Sequence, residues 1–107
     1  MNLHYILKDG QPVKAELLVW AKWFEKSERT VAKDEIGKVL VSTVFLGLDH
    51  RFGSGPPVLW ETMIFGGEHN DFQERYTSVE DALEGHKHAV ELVKLSSTIQ
   101  IKESEIK

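Results

Sequence analysis

The apolar residues of this 107-residue chain follow two periods, and those periods predict its secondary structure. From Val13 to Lys26 they recur every three or four positions, behind a proline, Pro12, that suits a first helical turn. From Val79 to Val93 they form one helical stripe. Ahead of that stripe, Thr77 and Glu80 match a capping box, in which each side chain satisfies a free backbone N–H group. Two helices are therefore expected.

Strand patterns occupy much of the remaining chain. The strongest covers residues 39–48, which are rich in β-branched and aromatic side chains and apolar on both faces. Weaker patterns cover residues 3–7, 30–32, 59–65 and 74–76. We expect an α+β fold in the order β-α-β-β-β-α, in which a small antiparallel sheet of four or five strands carries both helices.

The expected domain spans residues 1–95, and residues 96–107 form a polar C-terminal tail. That tail either frays or adds an edge strand at residues 98–101. An apolar fraction of 41% and a charged fraction of 28% are ordinary for such a domain. The chain has no cysteine, which excludes disulfides and thiolate metal sites and favours a reducing compartment.

Charge and hydropathy narrow the class of partner. The formal net charge is −4 and the basic residues are dispersed, so nucleic acid is an unlikely partner. No apolar run is long enough to cross a bilayer, and the N-terminus lacks the pattern of a signal peptide. We therefore expect a cytoplasmic protein with no membrane partner.

The first predicted helix has more apolar surface than one buried face requires. Leu18, Val19 and Trp23 form its second apolar flank. In one interpretation this flank packs beneath neighbouring strands. In the other, Val19 and Trp23 belong to a subunit interface, because large exposed apolar patches usually mark contacts. The second interpretation predicts a homo-oligomer.

The segment 49–57 joins the two strongest strands and is a candidate ligand-binding element. Its glycines permit positive φ angles and its prolines stiffen its exit. The candidate ligand-binding residues of this loop are Asp49, His50, Arg51 and Phe52, and Phe52 can fold back as an anchor. The alternative is an ordered connection in which Asp49 caps its own turn. A phosphate loop is disfavoured because no Lys-Ser/Thr pair follows the glycines.

Two polar residues, Glu61 and His86, interrupt apolar patterns. Glu61 shares one face of its strand with three apolar residues, and His86 lies within the stripe of the second helix beside Gly85. A buried carboxylate needs a cation or hydrogen-bond donors. We therefore expect His86, Glu61 and Arg75 to form one buried polar network, which is either structural or the polar centre of a ligand pocket.

Motifs for catalysis are weak. His86 and His88 are two positions apart and point to nearly opposite sides of a helix, unlike the i, i+4 pair that clamps a metal. The sequence predicts no catalytic residue, no metal and no cofactor. The enzymatic alternative is a small metal-dependent hydrolase built on Glu61, His86 and one of the acid–histidine pairs at 49–50 and 68–69.

One sequence pattern runs through most of the chain and comprises residues 41–57, 59–67 and 75–77, with Ala82, Gly85 and His86. In this pattern the chain resembles a family of small uncharacterised proteins encoded in bacteriophage and prophage genomes. The resemblance covers about residues 4–95, brings no known activity, and implies a phage accessory protein that works in the host cytoplasm. The implied function is non-enzymatic binding of a host protein or a small-molecule ligand, as in a counter-defence inhibitor or a ligand-sequestering protein. A virion or morphogenesis accessory role is the further alternative.

Overall fold

The computed structural model describes the backbone of residues 3–106 and the side chains of residues 3–97. It confirms the predicted α+β class, with two helices and with six strands in two antiparallel sheets. Along the chain the elements are β1 (Tyr5–Lys8), β2 (Gln11–Lys14), α1 (Leu17–Lys26), β3 (Thr30–Ile36), β4 (Val39–Phe45), β5 (Trp60–Phe65), β6 (Gln73–Tyr76) and α2 (Val79–Ile106).

The larger sheet is an antiparallel meander in the order β3-β4-β5-β6. Successive side chains of a strand point to opposite sides of the sheet. In this register one side of the two central strands faces α2, and we call it the covered face. It carries Val41, Thr43, Phe45, Trp60, Thr62 and Ile64. The opposite side, the open face, carries Leu40, Ser42, Val44, Glu61, Met63 and Phe65.

The hydrophobic core lies between the covered face and α2. Phe45, Leu59, Ile64 and Val41 are almost completely buried. Complete burial of such side chains contributes about 1.5–3 kcal/mol each relative to leaving them in water. The α2 stripe that the sequence predicts supplies the other side of this core, through Ala82, Ala89 and Val93.

The N-terminal segment differs from the prediction, because residues 11–14 are a strand and not the start of a helix. Asp9 and Gly10 both adopt positive φ angles, 52° and 79°, and close a two-residue hairpin between β1 and β2. Pro12 lies in the two-stranded sheet, where proline is tolerated because an edge strand does not need every N–H group. Helix α1 consequently begins at Leu17.

Aromatic side chains attach α1 to the rest of the molecule. Trp20 Nε1 donates a hydrogen bond of 2.9 Å to the carbonyl of Gly47. Gly47 has a φ of 76°, and a Cβ there would lie 3.2 Å from Trp20 Nε1, so the helix approaches this turn more closely than a larger residue would comfortably allow. The first turn of α1 leaves Leu17, Leu18 and Val19 exposed.

Helix α2 starts one residue later and ends later than predicted. Its N-terminal cap is Ser78 and not Thr77, since Ser78 Oγ accepts the N–H of Asp81 at 3.1 Å. The helix continues to Ile106, so the edge strand considered for residues 98–101 does not form. Lys107 lies outside the described residues.

Candidate functional site

His86 joins the covered face to the edge of the sheet through hydrogen bonds at both ring nitrogens. Nδ1 lies 2.7 Å from Thr43 Oγ1, and Nε2 lies 2.7 Å from Asp34 Oδ2 on β3. Thr43 also bonds Thr62, its cross-strand neighbour. The hydrogens are all used if Thr62 donates to Thr43, Thr43 donates to Nδ1, and the Nε2–H group donates to the Asp34 carboxylate.

Tyr76 lies in the same core, against Gly85 of α2. A Cβ on Gly85 would overlap the Tyr76 phenol, so a glycine at this position permits the close approach of β6 to α2. Among the described residues, Tyr76 Oη has no hydrogen-bond partner of ordinary geometry. Burial raises the pKa of the Tyr76 phenol above its ordinary value of 10.0, because the phenolate would lose its hydration.

The predicted network of His86, Glu61 and Arg75 is wrong, because the sheet separates its members. Glu61 pairs with Val44 in the register, one position from the pair of Thr43 and Thr62, and therefore lies on the open face. The partnership of Glu61 with Arg75 is confirmed. Glu61 Oε2 accepts from Arg75 Nε at 2.9 Å and from Gln73 Nε2 at 2.7 Å. A hydrolase site built on Glu61 and His86 together is excluded by the same geometry.

Sequence reasoning missed the three residues that surround His86. Thr43 and Thr62 are uncharged polar residues in the middle of apolar strands, and they are completely buried. That position was a usable signal, since a buried hydroxyl needs a partner. Asp34 gave no signal, because it lies in the charged run Lys-Asp-Glu and remains 54% exposed at its side chain.

Asp49 fixes the base of the segment 49–57, which we call the Phe52 loop. Its Oδ1 accepts the N–H groups of Arg51 at 2.8 Å and Val58 at 2.9 Å, so one carboxylate ties both ends of the loop. The guanidinium of Arg51 lies 3.1 Å from Asp49 Oδ2 and donates to the carbonyl of Gly55 at 2.6 Å. The turn-capping interpretation of Asp49 is therefore confirmed.

The electrostatics of Asp49 follow from these contacts. Burial by itself would raise the pKa of this carboxyl. The N–H groups of Val58 and Arg51 and the Arg51 guanidinium outweigh burial and lower the Asp49 pKa below 3.8. Asp49 is thus a buried anion that organises the loop, and its contact with an external ligand stays a prediction, as does that of His50, which is exposed.

Phe52 stands at the tip of this loop and does not fold back as the sequence suggested. Its relative exposure is 103%, the full value for a phenylalanine in an extended chain. Gly53 and Gly55 on its C-terminal side have φ angles of 86° and 112°, in the left-handed region that glycine adopts at no steric cost. The loop therefore presents one large apolar side chain from an internally braced base.

Of the two interface residues predicted on α1, Trp23 packs against the core and Val19 is exposed. Trp23 packs edge-on against Phe45, with ring centroids 5.9 Å apart, so it belongs to the core that the first interpretation described. Val19 stays exposed, and its place in a subunit interface remains a prediction. His88 is exposed beside Glu84, at 3.2 Å, whereas His86 is buried, so the two histidines lie on different sides of α2 as expected.

Cavities near the candidate residues are small or open. A dent of about 60 Å³ on the open face is lined by Ser42, Val44, Glu61, Met63 and Phe65. A wide groove of about 370 Å³ lies between β6 and α2, where Glu74, Asp81 and Glu84 make its wall predominantly acidic.

Within the side chains described, no three His, Asp or Glu residues are placed to hold a metal ion. No helix among the described residues is long and apolar enough to cross a membrane.

Comparison of this chain with protein families, curated proteins and solved structures finds no match.

Proposed function

We propose that this chain is a non-enzymatic binding protein that contacts a partner protein through the Phe52 loop. The single observation that carries the proposal is the full exposure of Phe52 on a loop braced by Asp49 and Arg51. Large apolar anchors dominate the energetics of protein interfaces. A loop that is already ordered loses less conformational entropy on binding than a flexible one.

The buried polar side chains also support binding over catalysis, because they are engaged with one another. His86 bridges Thr43 and Asp34. Glu61 accepts two side-chain donors on the open face, and Asp49 is used within its own loop. A catalytic acid or base must instead reach a substrate atom within hydrogen-bonding distance.

The partner in this proposal is a host protein in the cytoplasm of a bacterium, and the chain is phage-encoded. The support for that setting is the sequence resemblance over residues 4–95. A macromolecular partner fits better than a small molecule. Ligand pockets are usually concave, mostly apolar and 300–1,000 Å³ in volume, whereas the groove between β6 and α2 is wide and acidic and the dent on the open face is about 60 Å³.

Photo-crosslinking in bacterial cells tests this proposal. The variant Phe52→p-benzoylphenylalanine places the reactive group at the loop tip, and the same substitution at Leu18, which is 76% exposed on α1, is the matched control. We expect one discrete adduct with a host protein from position 52 and none from position 18. An adduct from position 18 with none from position 52 would move the contact to α1 and overturn the proposal.

A further inference from the structure

The groove between β6 and α2 lies beside an unpaired edge of the four-stranded sheet. Strand β6 ends the order β3-β4-β5-β6, and within the described residues no strand pairs with its outer side. The free N–H and C=O groups of an edge strand are a template for pairing with another chain. The opposite edge is interrupted, because the register of β3 shifts between Thr30 and Ala32, whereas the register of β6 is continuous.

The backbone groups on the outer side of β6 follow from its hydrogen bonds to β5. The carbonyl of Phe72 accepts the N–H group of Ile64 at 3.3 Å. In an antiparallel pair, alternate residues direct their N–H and C=O groups to the same neighbouring strand. Positions 72, 74 and 76 therefore face β5, and the N–H and C=O groups of Gln73 and Arg75 point away from the sheet. Two successive positions for strand pairing are open.

The side chains beside this edge favour a cationic ligand. The groove is lined by the charged or titratable residues Glu74, Asp81, Glu84, Arg75 and His88. Arg75 directs its guanidinium to Glu61 on the open face, at 2.9 Å. His88 lies 3.2 Å from Glu84, on the surface of α2. The three acids outnumber the bases, so the groove complements positive charge in a partner.

Tyr76 supplies a separate indication of a ligand. It lines the groove, is only 8% exposed, and its Oη has no hydrogen-bond partner among the described residues. Gly85 also lines the groove and has no side chain to separate the phenol from it. Glu74 and Tyr76 are two positions apart on β6, so both point to the side of the sheet that faces α2. A cationic group that enters beside Glu74 would donate the missing hydrogen bond to Tyr76 Oη.

A second copy of this chain fits the edge less well than a basic segment. Antiparallel pairing of β6 with β6 of another copy would place two acidic grooves side by side on the same side of the joined sheet. The formal charge of −4 on each chain would add to that repulsion.

We propose that the outer edge of β6 binds an extended, basic segment of a partner chain. The segment adds a strand that pairs with Gln73 and Arg75, which is the recognition mode known as β-strand addition. Because side chains of a strand alternate, every second residue of the segment points into the groove. Lys or Arg at those positions meets Glu74, Glu84 and the Tyr76 hydroxyl. The inference does not rest on the Phe52 contact.

Fluorescence anisotropy with a labelled heptapeptide of alternating threonine and lysine tests the proposal at low ionic strength. We expect this peptide to bind at least about tenfold more tightly than the same peptide with glutamate for lysine. Methylation of every backbone nitrogen keeps the charge and removes the N–H donors, and it should weaken binding by about tenfold. Equal affinity for the methylated and unmethylated lysine peptides would reduce the contact to bulk charge and overturn the proposal.

Variants of the groove test its acids and its phenol. Glu74→Gln combined with Glu84→Gln should weaken binding of the lysine peptide about fivefold, and Glu25→Gln on the exposed surface of α1 should leave it within about twofold. Tyr76→Phe keeps the ring and should weaken binding about fivefold without lowering the melting temperature. Wild-type affinity in the double variant or in a folded Tyr76→Phe variant would contradict the assignment of the groove.

Amide hydrogen exchange followed by NMR locates the added strand. The lysine peptide should slow exchange at Gln73 and Arg75, and it should leave Glu74 nearly unchanged because that N–H group already faces β5. Protection of Gln73 and Arg75 in the free chain at high concentration would assign the edge to self-association. That result, or binding with no protection at either amide, would overturn the proposal.

Discussion

The covered face and the open face are built from alternate residues of the same strands, yet the polar side chains on the two faces differ in burial and in their partners. On the covered face, Thr43 and Thr62 are completely buried, uncharged, and bonded to each other and to His86. On the open face, Glu61 is paired with Arg75, which remains 42% exposed at the side chain.

This difference shows what each face requires. Under α2, water cannot replace a lost partner, so Thr43, Thr62 and the His86 ring depend on the hydrogen bonds among themselves. On the open face, Arg75 can return to water if Glu61 is lost, so the same kind of deletion costs less. Substitutions at matched positions on the two faces should therefore lower the free energy of unfolding by different amounts.

The largest effect is expected from Gly85→Ala in α2, where the helix packs against Tyr76 of β6. Helix propensity alone would make this change favourable by about 1 kcal/mol. The added methyl would instead overlap the Tyr76 phenol, so we expect a loss of about 3 kcal/mol in urea unfolding. In a Tyr76→Ala background the cost should vanish. A stabilised Gly85→Ala variant would show that α2 and β6 are not in this contact.

A matched pair on neighbouring positions of β4 comes next. Thr43→Val should lower the free energy of unfolding by about 2 kcal/mol, because it leaves His86 Nδ1 buried without a partner. Ser42→Val, one residue away on the open face, should change it by less than about 0.5 kcal/mol. Chemical denaturation of both variants measures the two changes in the free energy of unfolding. Equal changes would contradict the expectation that polar side chains matter more for stability on the covered face.

Asp49 extends the comparison to a carboxylate that is buried more deeply than Glu61, with its side chain 1% exposed against 10%. We expect Asp49→Asn to cost about 2 kcal/mol at pH 7, since charge-assisted hydrogen bonds to the loop are weakened. The native pKa is lowered, so the stabilisation is complete above about pH 4, the ordinary pKa of aspartate in an unfolded chain.

Unfolding measured as a function of pH gives the corresponding check on Asp49. The gap between wild type and Asp49→Asn should be constant near neutrality and close as the pH falls from 4 through the native pKa. A gap that widens in acid would mean that the ionised form of Asp49 does not stabilise the loop.

The smallest effect is expected from Glu61→Leu. This change removes the ion pair with Arg75, but the guanidinium can rehydrate and the leucine joins an apolar surface, so the cost should stay below about 1 kcal/mol. Thermal unfolding of dilute protein, where any dimer is dissociated, measures it. A loss as large as that of Thr43→Val would show that Glu61 is as enclosed as the covered face.

The sequence predicts the fold class and the elements with strong periodicity. The stripe of α2 corresponds to a real helix because it has one unambiguous period. The segment 39–48 contains β4 because it is rich in β-branched and aromatic residues. The predicted helix begins before the observed α1 because Pro12 suits both a first helical turn and an edge strand. The Asp9-Gly10 turn, with positive φ angles at both positions, places Pro12 in the edge strand of a hairpin.

The candidate site was harder to predict, because face assignment on a strand apolar on both sides is ambiguous. Glu61 and Thr62 are adjacent, and a one-residue change in which face meets α2 exchanges their environments. The link from His86 to Asp34 joins positions 52 apart and has no local pattern. The exposure of Phe52 depends on the bracing of its loop by Asp49, which the identity of an aromatic residue does not reveal.

In the proposed function, the exposed Phe52 and not the buried polar groups contacts the partner protein. Its most direct test is calorimetric titration of the host protein identified by crosslinking at position 52 with the Phe52→Ala and Leu18→Ala variants. We expect Phe52→Ala to weaken affinity about 30-fold, the scale of an interface hot spot, with the melting temperature unchanged. Leu18→Ala should bind as wild type does. Affinity within twofold of wild type for Phe52→Ala would contradict the account.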